Sequence, residues 1–355
     1  MKSDKLNLLI LFGGISLEHE VSCMSAASIL KNIDKDKYEI TTVGITKEGT
    51  WLMTEASADE IQNGTWQDHK MNKVGNLLLS REPSGFKLDD GTLIKFDCVF
   101  PIMHGKYGED GAMQGVFEVA GIPYVGPKVL ASSTGMDKIM SKLVIANTGI
   151  KQADYYDTDR YNFSSNPLGE LEAIEKRFGG KYPLFVKPAN TGSSVGVTKV
   201  NNDRELFEGI KIAAEIDHRI LIERGVSGRE IEVAVLGNRK PQASVVGEII
   251  AANEFYDYEA KYKNAESKTK IIDDLPVEEL DRIRETAISI YKRFSCRGFT
   301  RVDFFYTEEG ELIFNEINTI PGFTIISMYP KLWEETGIEY GELIDRLIEL
   351  AMEEI

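Results

Sequence analysis

The chain has 355 residues and a formal net charge of −16. At about 150 residues per domain this length predicts two or three domains, and 42% hydrophobic with 28% charged residues is typical of a globular protein. The charge argues against a generalised nucleic-acid binder, because neutralising phosphates requires a basic face. It leaves room for a small anionic ligand in a cleft that carries its own lysines and arginines.

The three cysteines, Cys23, Cys98 and Cys296, lie far apart and form no C-x-x-C pair. Such a set argues against a disulfide framework or a structural zinc site and is typical of a reducing cytosol. The apolar run at 6–12 is too short to span a membrane and lacks a small-residue cleavage site. We therefore expect a cytoplasmic protein that does not engage a membrane and whose cysteines are buried.

The first third of the chain alternates predicted strands and helices. The apolar run 8–12 ends at Gly13-Gly14, as a strand does before a tight turn. A predicted helix at 19–33, strands at 39–45 and 96–103 and a helix at 111–120 follow. This β-α-β-α order predicts a parallel sheet with helices on its faces, a Rossmann-like α/β fold.

Beyond a linker-like Gly126-Pro127, hairpins replace crossovers and predict α+β units. Helices are predicted at 136–147, 204–215, 276–294 and 340–352. Strands are predicted at 182–188, 197–200, 219–223, 230–236, 243–250, 298–306 and 311–317. The polar, aromatic-rich segment 251–274 predicts a long loop.

Three familiar motifs are incomplete in this chain. Gly13-Gly14 does not continue as G-x-G-x-x-G, no Gly-Lys pair is followed by Ser or Thr, and Cys23 stands where H-E-x-x-H needs its second histidine. If a nucleotide binds, another scaffold must hold it.

The two predicted strands at 298–306 and 311–317 are joined by Thr-Glu-Glu-Gly, which is typical of a hairpin turn. A two-residue loop ending at Gly310 sets Asp303 opposite Glu316 and Arg301 opposite Asn318. Opposed carboxylates repel each other unless a cation lies between them. The hairpin therefore predicts a cation site.

Two acids and Asn318 supply hard oxygen ligands, which suit Mg²⁺ bridged to phosphates. The same register places Phe305 and Phe314 on the acidic face, so that face is not simply solvated. The alternative is a solvated hairpin on which Arg301 neutralises one acid.

A candidate phosphate-binding loop lies earlier in the chain. Lys187 ends an apolar predicted strand, and the Gly/Ser loop 191–196 follows within a few residues. Glycines let backbone N–H groups wrap phosphate oxygens, and serine hydroxyls add donors. The alternative is an ordinary turn.

A series of short segments runs through essentially the whole chain in a characteristic order. The segments are Gly13-Gly14-Ile15-Ser16-Leu17-Glu18-His19-Glu20-Val21-Ser22, His104-Gly105 with Gly108-Glu109-Asp110-Gly111, Lys187-Pro188 with Gly192-Ser193-Ser194-Val195-Gly196, Tyr256-Asp257-Tyr258-Glu259-Ala260-Lys261-Tyr262, Arg301-Val302-Asp303, and Asn315-Glu316-Ile317-Asn318. Together they are similar to the motifs of D-alanine–D-alanine ligases, which are ATP-grasp enzymes of peptidoglycan precursor synthesis.

The resemblance implies an N-terminal substrate-binding α/β domain at 1–127, followed by a two-domain ATP-grasp unit. Its central domain is expected at 128–220 and its C-terminal domain, with the metal site and a mobile loop at 251–274, at 221–355. ATP would lie between these two domains with two Mg²⁺ ions, for which Mn²⁺ could substitute, in a homodimer. In the implied reaction ATP phosphorylates the carboxylate of one D-alanine, and the amine of a second D-alanine displaces the phosphate.

The resemblance also implies residue roles on the nucleotide side. The ions would be held by Asp303, Glu316 and Asn318. The nucleotide would be contacted by Lys138, Lys187 and Ser194 at its phosphates, by Lys261 near the γ-phosphate, by Glu223 and Val226 at adenine, and by Glu230 at ribose.

On the amino-acid side, the resemblance implies that Glu18 pairs with the ammonium of the first D-alanine. Ser193 and Tyr262 would hydrogen-bond to Glu18 as the 251–274 loop closes. Arg301, with the backbone N–H of Gly322, would stabilise the oxyanion of the tetrahedral intermediate. The remaining substrate contacts would be His104 near the first D-alanine, and Ser327 and Met328 near the second.

The second-substrate region departs from many relatives, since Ile325 and Ile326 are bulkier and less polar than usual. Met328 beside Ser327 offers a methyl-sized group no hydrogen bond, which favours D-alanine over D-serine. Tyr262 is not the histidine usual in ligases that accept D-lactate. The alternatives are a D-alanine–D-serine ligase and a non-catalytic nucleotide-binding regulator of the same fold.

Overall fold

The computed structural model describes residues 5–81, 84–250 and 268–353, whose strands form sheets of seven, four and six strands. The seven-stranded sheet is built from β1 (Leu6–Gly13), β2 (Tyr38–Ile45), β3 (Trp51–Met53), β4 (Lys73–Leu77), β5 (Phe86–Leu88), β6 (Leu93–Ile94) and β7 (Cys98–Pro101). Its helices are α1 (His19–Asn32), α2 (Ala58–Gln62), a 3₁₀ helix (Thr65–Asp68) and α3 (Ala112–Ala120). Together with the hairpin-rich sheets that follow, this confirms the predicted α/β and α+β class.

The first sheet is parallel only at β2-β1-β7, and β3 to β6 are added antiparallel. The predicted parallel sheet is therefore confirmed at β2-β1-β7, and antiparallel strands extend it on one side. Residues 46–50 between β2 and β3 are too few for a crossover, so β3 can only return as a hairpin. β1 lies inside the sheet between β2 and β7, and Leu8–Phe12 is buried on both faces, which explains its continuous apolar run.

The middle of the chain begins with two helices, α4 (Val129–Met136) and α5 (Lys138–Ile145), and a short strand, β8 (Lys151–Gln152). The helix predicted at 136–147 is observed as α5, which begins at Lys138 because the carboxylate of Asp137 caps it by accepting the N–H of Met140 at 2.9 Å. The four-stranded sheet follows with β9 (Tyr155–Asp159), α6 (Arg160–Ser165), α7 (Pro167–Phe178), β10 (Leu184–Pro188), β11 (Thr198–Val200), α8 (Asp203–Ile216) and β12 (Arg219–Arg224).

The strand order of this second sheet is β11-β10-β12-β9. The expected boundary at residue 220 falls inside β12, because Ile220–Arg224 pairs continuously with β10. The second sheet therefore extends to Arg224.

The third sheet and its helices contain β13 (Arg229–Leu236), β14 (Gln242–Ile250), β15 (Lys268–Ile271), α9 (Val277–Arg293), β16 (Phe299–Tyr306), β17 (Leu312–Asn318), α10 (Met328–Glu335) and α11 (Tyr340–Met352). The strand order is β15-β14-β13-β16-β17-β8. β15 pairs with the end of β14, so residues 268–271 form a strand and not part of the loop predicted at 251–274. Residues 251–267 lie outside the described part of the chain.

One apolar core joins the first sheet to the third. Phe100 of β7 packs on Phe323 with ring centroids 6.0 Å apart, and Phe299 of β16 lies 5.5 Å from Tyr329 of α10. Because interiors are close-packed, this shared core fixes α1 and the β1–α1 turn against the segment that follows β17. The three cysteines are free and buried, as predicted. Over residues 5–81, 84–250 and 268–353, no helix is both long and apolar enough to cross a membrane.

Candidate active site

A single cleft of about 1140 Å³ lies where the three sheets meet. Every predicted site residue in the described part of the chain lines it: Glu18, His104, Lys138, Lys187, Ser193, Ser194, Glu223, Val226, Glu230, Arg301, Asp303, Glu316, Asn318, Gly322, Ser327 and Met328. Lys261 and Tyr262 lie outside the described residues.

The hairpin of β16 and β17 carries the acidic end of the cleft. Asp303 pairs with Glu316 and Arg301 with Asn318, which confirms the predicted register. A bulge then shifts the ladder, so Phe314 pairs with Phe304 and is wholly buried in the same apolar cluster as that residue. The expectation that it shares the acidic face was wrong, because one extra residue in a strand reverses the faces beyond it.

A third acid lies on the same row of the sheet. Glu232 of β13 pairs directly with Asp303, which in turn pairs with Glu316. Arg301 stands among them: its guanidinium donates to both oxygens of Asp303 at 2.8 Å and lies 3.1 Å from Glu232. Burial opposes the charge of Arg301, yet the carboxylates of Asp303 and Glu232 raise its pKa well above the ordinary value. Arg301 is therefore a fixed cation at the centre of the cleft.

The donor set on the hairpin fits Mg²⁺ shared with a bound substrate. Asp303, Glu316 and Asn318 offer hard oxygen atoms, and Asn318 is oriented by donating its amide N–H to Asp303 at 2.8 Å. Within the described ranges no three His, Cys, Asp or Glu side chains gather closely enough to hold a metal ion by themselves. Such a set suits an ion whose remaining ligands are water and phosphate oxygens.

The opposite wall is formed at the start of α1. Glu18 is 7% exposed, and its carboxylate accepts a hydrogen bond from the hydroxyl of Ser193 in the Gly/Ser loop. A Cβ atom at Gly105 or Gly192 would lie 2.3 or 2.6 Å from a carboxylate oxygen of Glu18. A side chain at either position would therefore displace the carboxylate of Glu18, and the loop after β10 reaches the first sheet through Ser193.

His104 lies beside Glu18 and is 4% exposed. One ring nitrogen is 3.0 Å from the carbonyl oxygen of Ile320 and the other is 3.2 Å from the hydroxyl of Ser25. Burial lowers the pKa of His104, against the pull of Glu18. The ring is therefore neutral at pH 7 and links β7 to the segment after β17.

Ser327 caps the turn that precedes α10. Its hydroxyl accepts the backbone N–H of Thr324 at 3.1 Å and lies 2.8 Å from the hydroxyl of that residue. Met328 is buried against β14, where a Cβ at Gly247 would lie 2.9 Å from its sulfur. Ile325 and Ile326 are 52% and 77% exposed at the rim of the cleft. The turn thus presents a polar Ser327 beside an apolar wall.

The side of the cleft at which the sequence predicts phosphate contacts is formed by α5 and the Gly/Ser loop. Lys138 donates to the carbonyl oxygen of Thr191 at 2.5 Å. Ser193 and Ser194 both have left-handed backbone, with φ of 50° and 57°, which curls the loop towards the cleft. Such turns orient successive N–H groups for an anion.

Three residues missed by the sequence analysis belong to this cleft or lie directly behind it. Glu109 accepts the N–H groups of Gly105 at 2.7 Å and Ile320 at 3.0 Å, and burial with the nearby Glu18 raises its pKa to about 8. Glu232 holds Arg301, and Lys142 of α5 forms a buried ion pair with Glu223. Only Glu232 could have been predicted from the sequence. It lies two residues after Glu230 in β13, so both side chains face the same side of the strand.

Comparison with known proteins covers the whole chain. The family described as D-ala D-ala ligase N-terminus matches residues 7–127, and D-ala D-ala ligase C-terminus matches residues 144–349. The chain is 49% identical over 366 residues to D-alanine–D-alanine ligase of Acetivibrio thermocellus, covering 99% of this chain and 96% of that protein. It is 48% identical over 351 residues to the same enzyme of Clostridium acetobutylicum, covering 98% of each.

Among solved structures, a D-Ala:D-Ser ligase from Enterococcus faecalis superposes with a TM-score of 0.88 at 38% identity, covering 98% of this chain and 100% of that one. The likeness extends over both matched family regions and the cleft between them. The chain belongs to the D-alanine–D-alanine ligase family.

Proposed function

We propose that this protein joins two D-alanine molecules into D-alanyl-D-alanine, driven by conversion of ATP to ADP and phosphate, for peptidoglycan precursor synthesis in the cytoplasm. The observation that carries this proposal is that Arg301, the hairpin acids and the Glu18–Ser193 pair face one cleft. The full-length identity to D-alanine–D-alanine ligases supports it.

On the nucleotide side, phosphoryl transfer needs positioning and charge neutralisation more than covalent help from the protein. Lys138 and Lys187 would neutralise phosphate oxygens, and the loop at Ser194 would donate to them. Glu223, Val226 and Glu230 would hold the base and the sugar. Lys261 is proposed near the γ-phosphate from the family resemblance.

The metal ligands in this proposal are Asp303, Glu316 and Asn318, holding two Mg²⁺ ions or Mn²⁺ in their place. When bound, the ions would neutralise charge on the transferring phosphoryl group. The contact of Arg301 with Glu232 would keep the guanidinium in place if Asp303 bound a metal ion.

For the first D-alanine, Glu18 would accept its ammonium group, with Ser193 fixing the carboxylate. His104, neutral and tied to Ile320, would bound the pocket. Tyr262 is proposed to join Glu18 from the segment at 251–267, whose closure would exclude water from the acyl phosphate.

For the second D-alanine, Ser327 would donate to its carboxylate and Met328 would face its methyl group. Its amine would attack the acyl phosphate, and the developing oxyanion would be met by Arg301 and the N–H of Gly322. A fixed, buried cation is worth more to an oxyanion than a mobile one, because no reorganisation is required when charge develops.

A second candidate, D-alanine–D-serine ligation, is favoured by the likeness to the Enterococcus faecalis structure. Against it, Met328 places an apolar side chain beside Ser327. Its thioether is only a weak hydrogen-bond acceptor for an added hydroxyl group. D-serine would still be used as a slow second substrate, because an apolar pocket excludes a single added hydroxyl group only weakly.

We infer three structural units for this activity: residues 1–127, a central ATP-grasp domain from 128, and a C-terminal domain. The boundary of the last two fits better after Arg224 than at 220, since β12 belongs to the second sheet. We also propose a homodimer, which sedimentation velocity would reveal as a species of twice the chain mass.

The test of the activity is phosphate release from ATP and Mg²⁺ with D-alanine or L-alanine. We expect phosphate release with D-alanine but not with L-alanine, and we expect EDTA to abolish it. ATP binding without D-alanine-dependent release would instead support the non-catalytic nucleotide-binding regulator.

A further inference from the structure

A buried cluster of three charges lies behind the nucleotide side of the cleft. Lys142 of α5 contacts one carboxylate oxygen of Glu223, and the ammonium of Lys187 lies 2.6 Å from the other. The side chains of Lys142, Lys187 and Glu223 are 2%, 17% and 6% exposed. Each oxygen of one carboxylate therefore has its own ammonium partner.

The two lysines differ in their access to a ligand. Lys187 and Glu223 line the cleft, whereas Lys142 does not. A buried charge is costly unless it stays paired. Lys187 can therefore turn to an anionic ligand, while Lys142 must remain with Glu223.

The position of Lys142 is fixed by the elements around it. Its backbone carbonyl oxygen accepts the side-chain N–H of Gln152 at 3.1 Å, and Asp137 both caps α5 and pairs with Arg219 of β12. Lys138 lies four residues earlier on the same face of α5. Helix α5 thus places Lys138 at the Gly/Ser loop and Lys142 behind Glu223.

The carboxylate of Glu223 remains ionised in this setting. Burial works in the opposite direction, but Lys142 and Lys187 hold the pKa of Glu223 at about 2. An ionised carboxylate accepts hydrogen bonds and donates none. Once Lys187 turns away, one oxygen of Glu223 faces the cleft as an acceptor.

We propose that Lys142 is a positioning residue that sets the choice of nucleotide base by keeping Glu223 oriented and acceptor-only. Glu223 would then accept the exocyclic N–H of a 6-aminopurine and repel the carbonyl oxygen of a 6-oxopurine. This inference rests on the proposed role of Glu223 at the base of ATP.

The test compares ATP with inosine triphosphate, whose base carries a carbonyl group at C6. The ratio of kcat/KM for ATP to that for inosine triphosphate is measured with D-alanine in wild type, Lys142→Met and Lys142→Arg. Lys151→Met is the matched control, because Lys151 is an exposed lysine paired with Glu311. The double variant Lys142→Met/Glu223→Gln, which removes both charges of the Lys142–Glu223 pair, is measured in the same way.

We expect Lys142→Met to lower the ratio by about 10- to 100-fold, the worth of a hydrogen bond to a charged group, with KM for ATP rising more than kcat falls. Lys142→Arg should restore the ratio, Lys151→Met should not change it, and the double variant should use the two nucleotides about equally.

An unchanged ratio in Lys142→Met, or in the double variant should the single variant not fold, overturns the inference. If the variants nevertheless turn over ATP in the presence of D-alanine, the proposed ligase function still stands. Absence of that turnover in wild type would instead contradict the proposed function, and a wild type that uses both nucleotides equally would overturn the role of Glu223 together with that of Lys142.

Discussion

At the level of single residues, the cleft is lined by carboxylates that each have a different set of hydrogen-bond or ion-pair partners. Glu18 accepts from Ser193, Asp303 from Arg301 and Asn318, and Glu223 is paired with lysines. Charges buried without partners would titrate to neutrality. Each carboxylate is therefore oriented by its own partners before any ligand arrives.

Asp303→Asn and Glu316→Gln test the metal ligands separately from nucleotide binding. We expect either change to lower D-alanine-dependent phosphate release by at least about 100-fold, because neutral amides no longer balance the metal charge. Binding of a fluorescent ATP analogue should fall by less than about tenfold, because the base and sugar contacts remain. Glu311→Gln, at an exposed acid of the same hairpin, is the control. Near wild-type turnover in either variant would refute the metal assignment.

His104 provides a pH test of the buried ring. Its lowered pKa means that the folded state binds fewer protons than the unfolded chain below the ordinary histidine pKa of about 6.5, so stability is lost as pH falls through that value. Wild type should therefore be less stable at pH 5.5 than at pH 7.5 through this group. Urea unfolding at pH 7.5 and pH 5.5 should show a smaller decrease in the free energy of unfolding for His104→Gln than for wild type. An equal loss in both proteins would mean that His104 is charged when folded.

At the level of elements, α5 and the loop after β10 place the ligand-facing groups. Lys138 stands at the first turn of α5, directly after the cap at Asp137. The loop stays close to Glu18 because Gly192 has no side chain. Local backbone chemistry therefore sets distances in the cleft.

Gly192→Ala tests this close approach. The added Cβ would lie 2.6 Å from the carboxylate of Glu18 and must displace Glu18 or the loop. We expect kcat/KM for D-alanine to fall by about tenfold or more, while KM for ATP changes less. Gly115→Ala is the matched control, since a Cβ there meets nothing within 4 Å. Unchanged kinetics in Gly192→Ala would show that the Glu18–Ser193 contact does not position substrate.

The cap of α5 can be separated from its ion pair. Asp137→Ala removes both the bond to Met140 N–H and the pair with Arg219, whereas Asp137→Asn keeps the cap. We expect Asp137→Ala to lower the melting temperature by about 2–4 °C, the effect of losing roughly 1 kcal/mol. It should also raise KM for ATP, because Lys138 loses its support. Equal melting temperatures in the two variants would show that the cap contributes nothing.

The hairpin shows how far sequence reasoning reaches. The pairing of Asp303 with Glu316 followed from turn length and alternation, whereas the bulge that buries Phe314 has no residue signature. Lys142 has the spacing of an ordinary helix lysine, and its burial arises from the packing of β12 against α5. The ATP-side roles came from motif resemblance, since a Gly/Ser loop alone is usually a turn.

At the scale of the whole molecule, the cleft exists because the first sheet and the third share a core and a hydrogen-bonded seam. Glu109 bonds to Gly105 in the first unit and to Ile320, 211 residues away in the chain. His104 makes a second link to Ile320. Contacts between such distant residues depend on the assembled fold, and no local pattern predicts them.

Glu109→Ala tests this seam. Removing the carboxyl group leaves the N–H groups of Gly105 and Ile320 without their acceptor and loosens the segment leading to Gly322. We expect KM for the second D-alanine to rise by about tenfold, with ATP affinity nearly unchanged. Glu118→Ala, at an acid in an exposed pair with Lys128, is the control. A rise in KM for ATP alone would contradict this role.

The central claim is the identity of the product. Purified protein is incubated with ATP, Mg²⁺ and equal concentrations of D-alanine and D-serine, and the dipeptides are identified by mass spectrometry. The account predicts D-alanyl-D-alanine as the main product, with one ADP and one phosphate formed for each dipeptide. D-alanyl-D-serine as the main product, or ATP consumption without dipeptide, would contradict it.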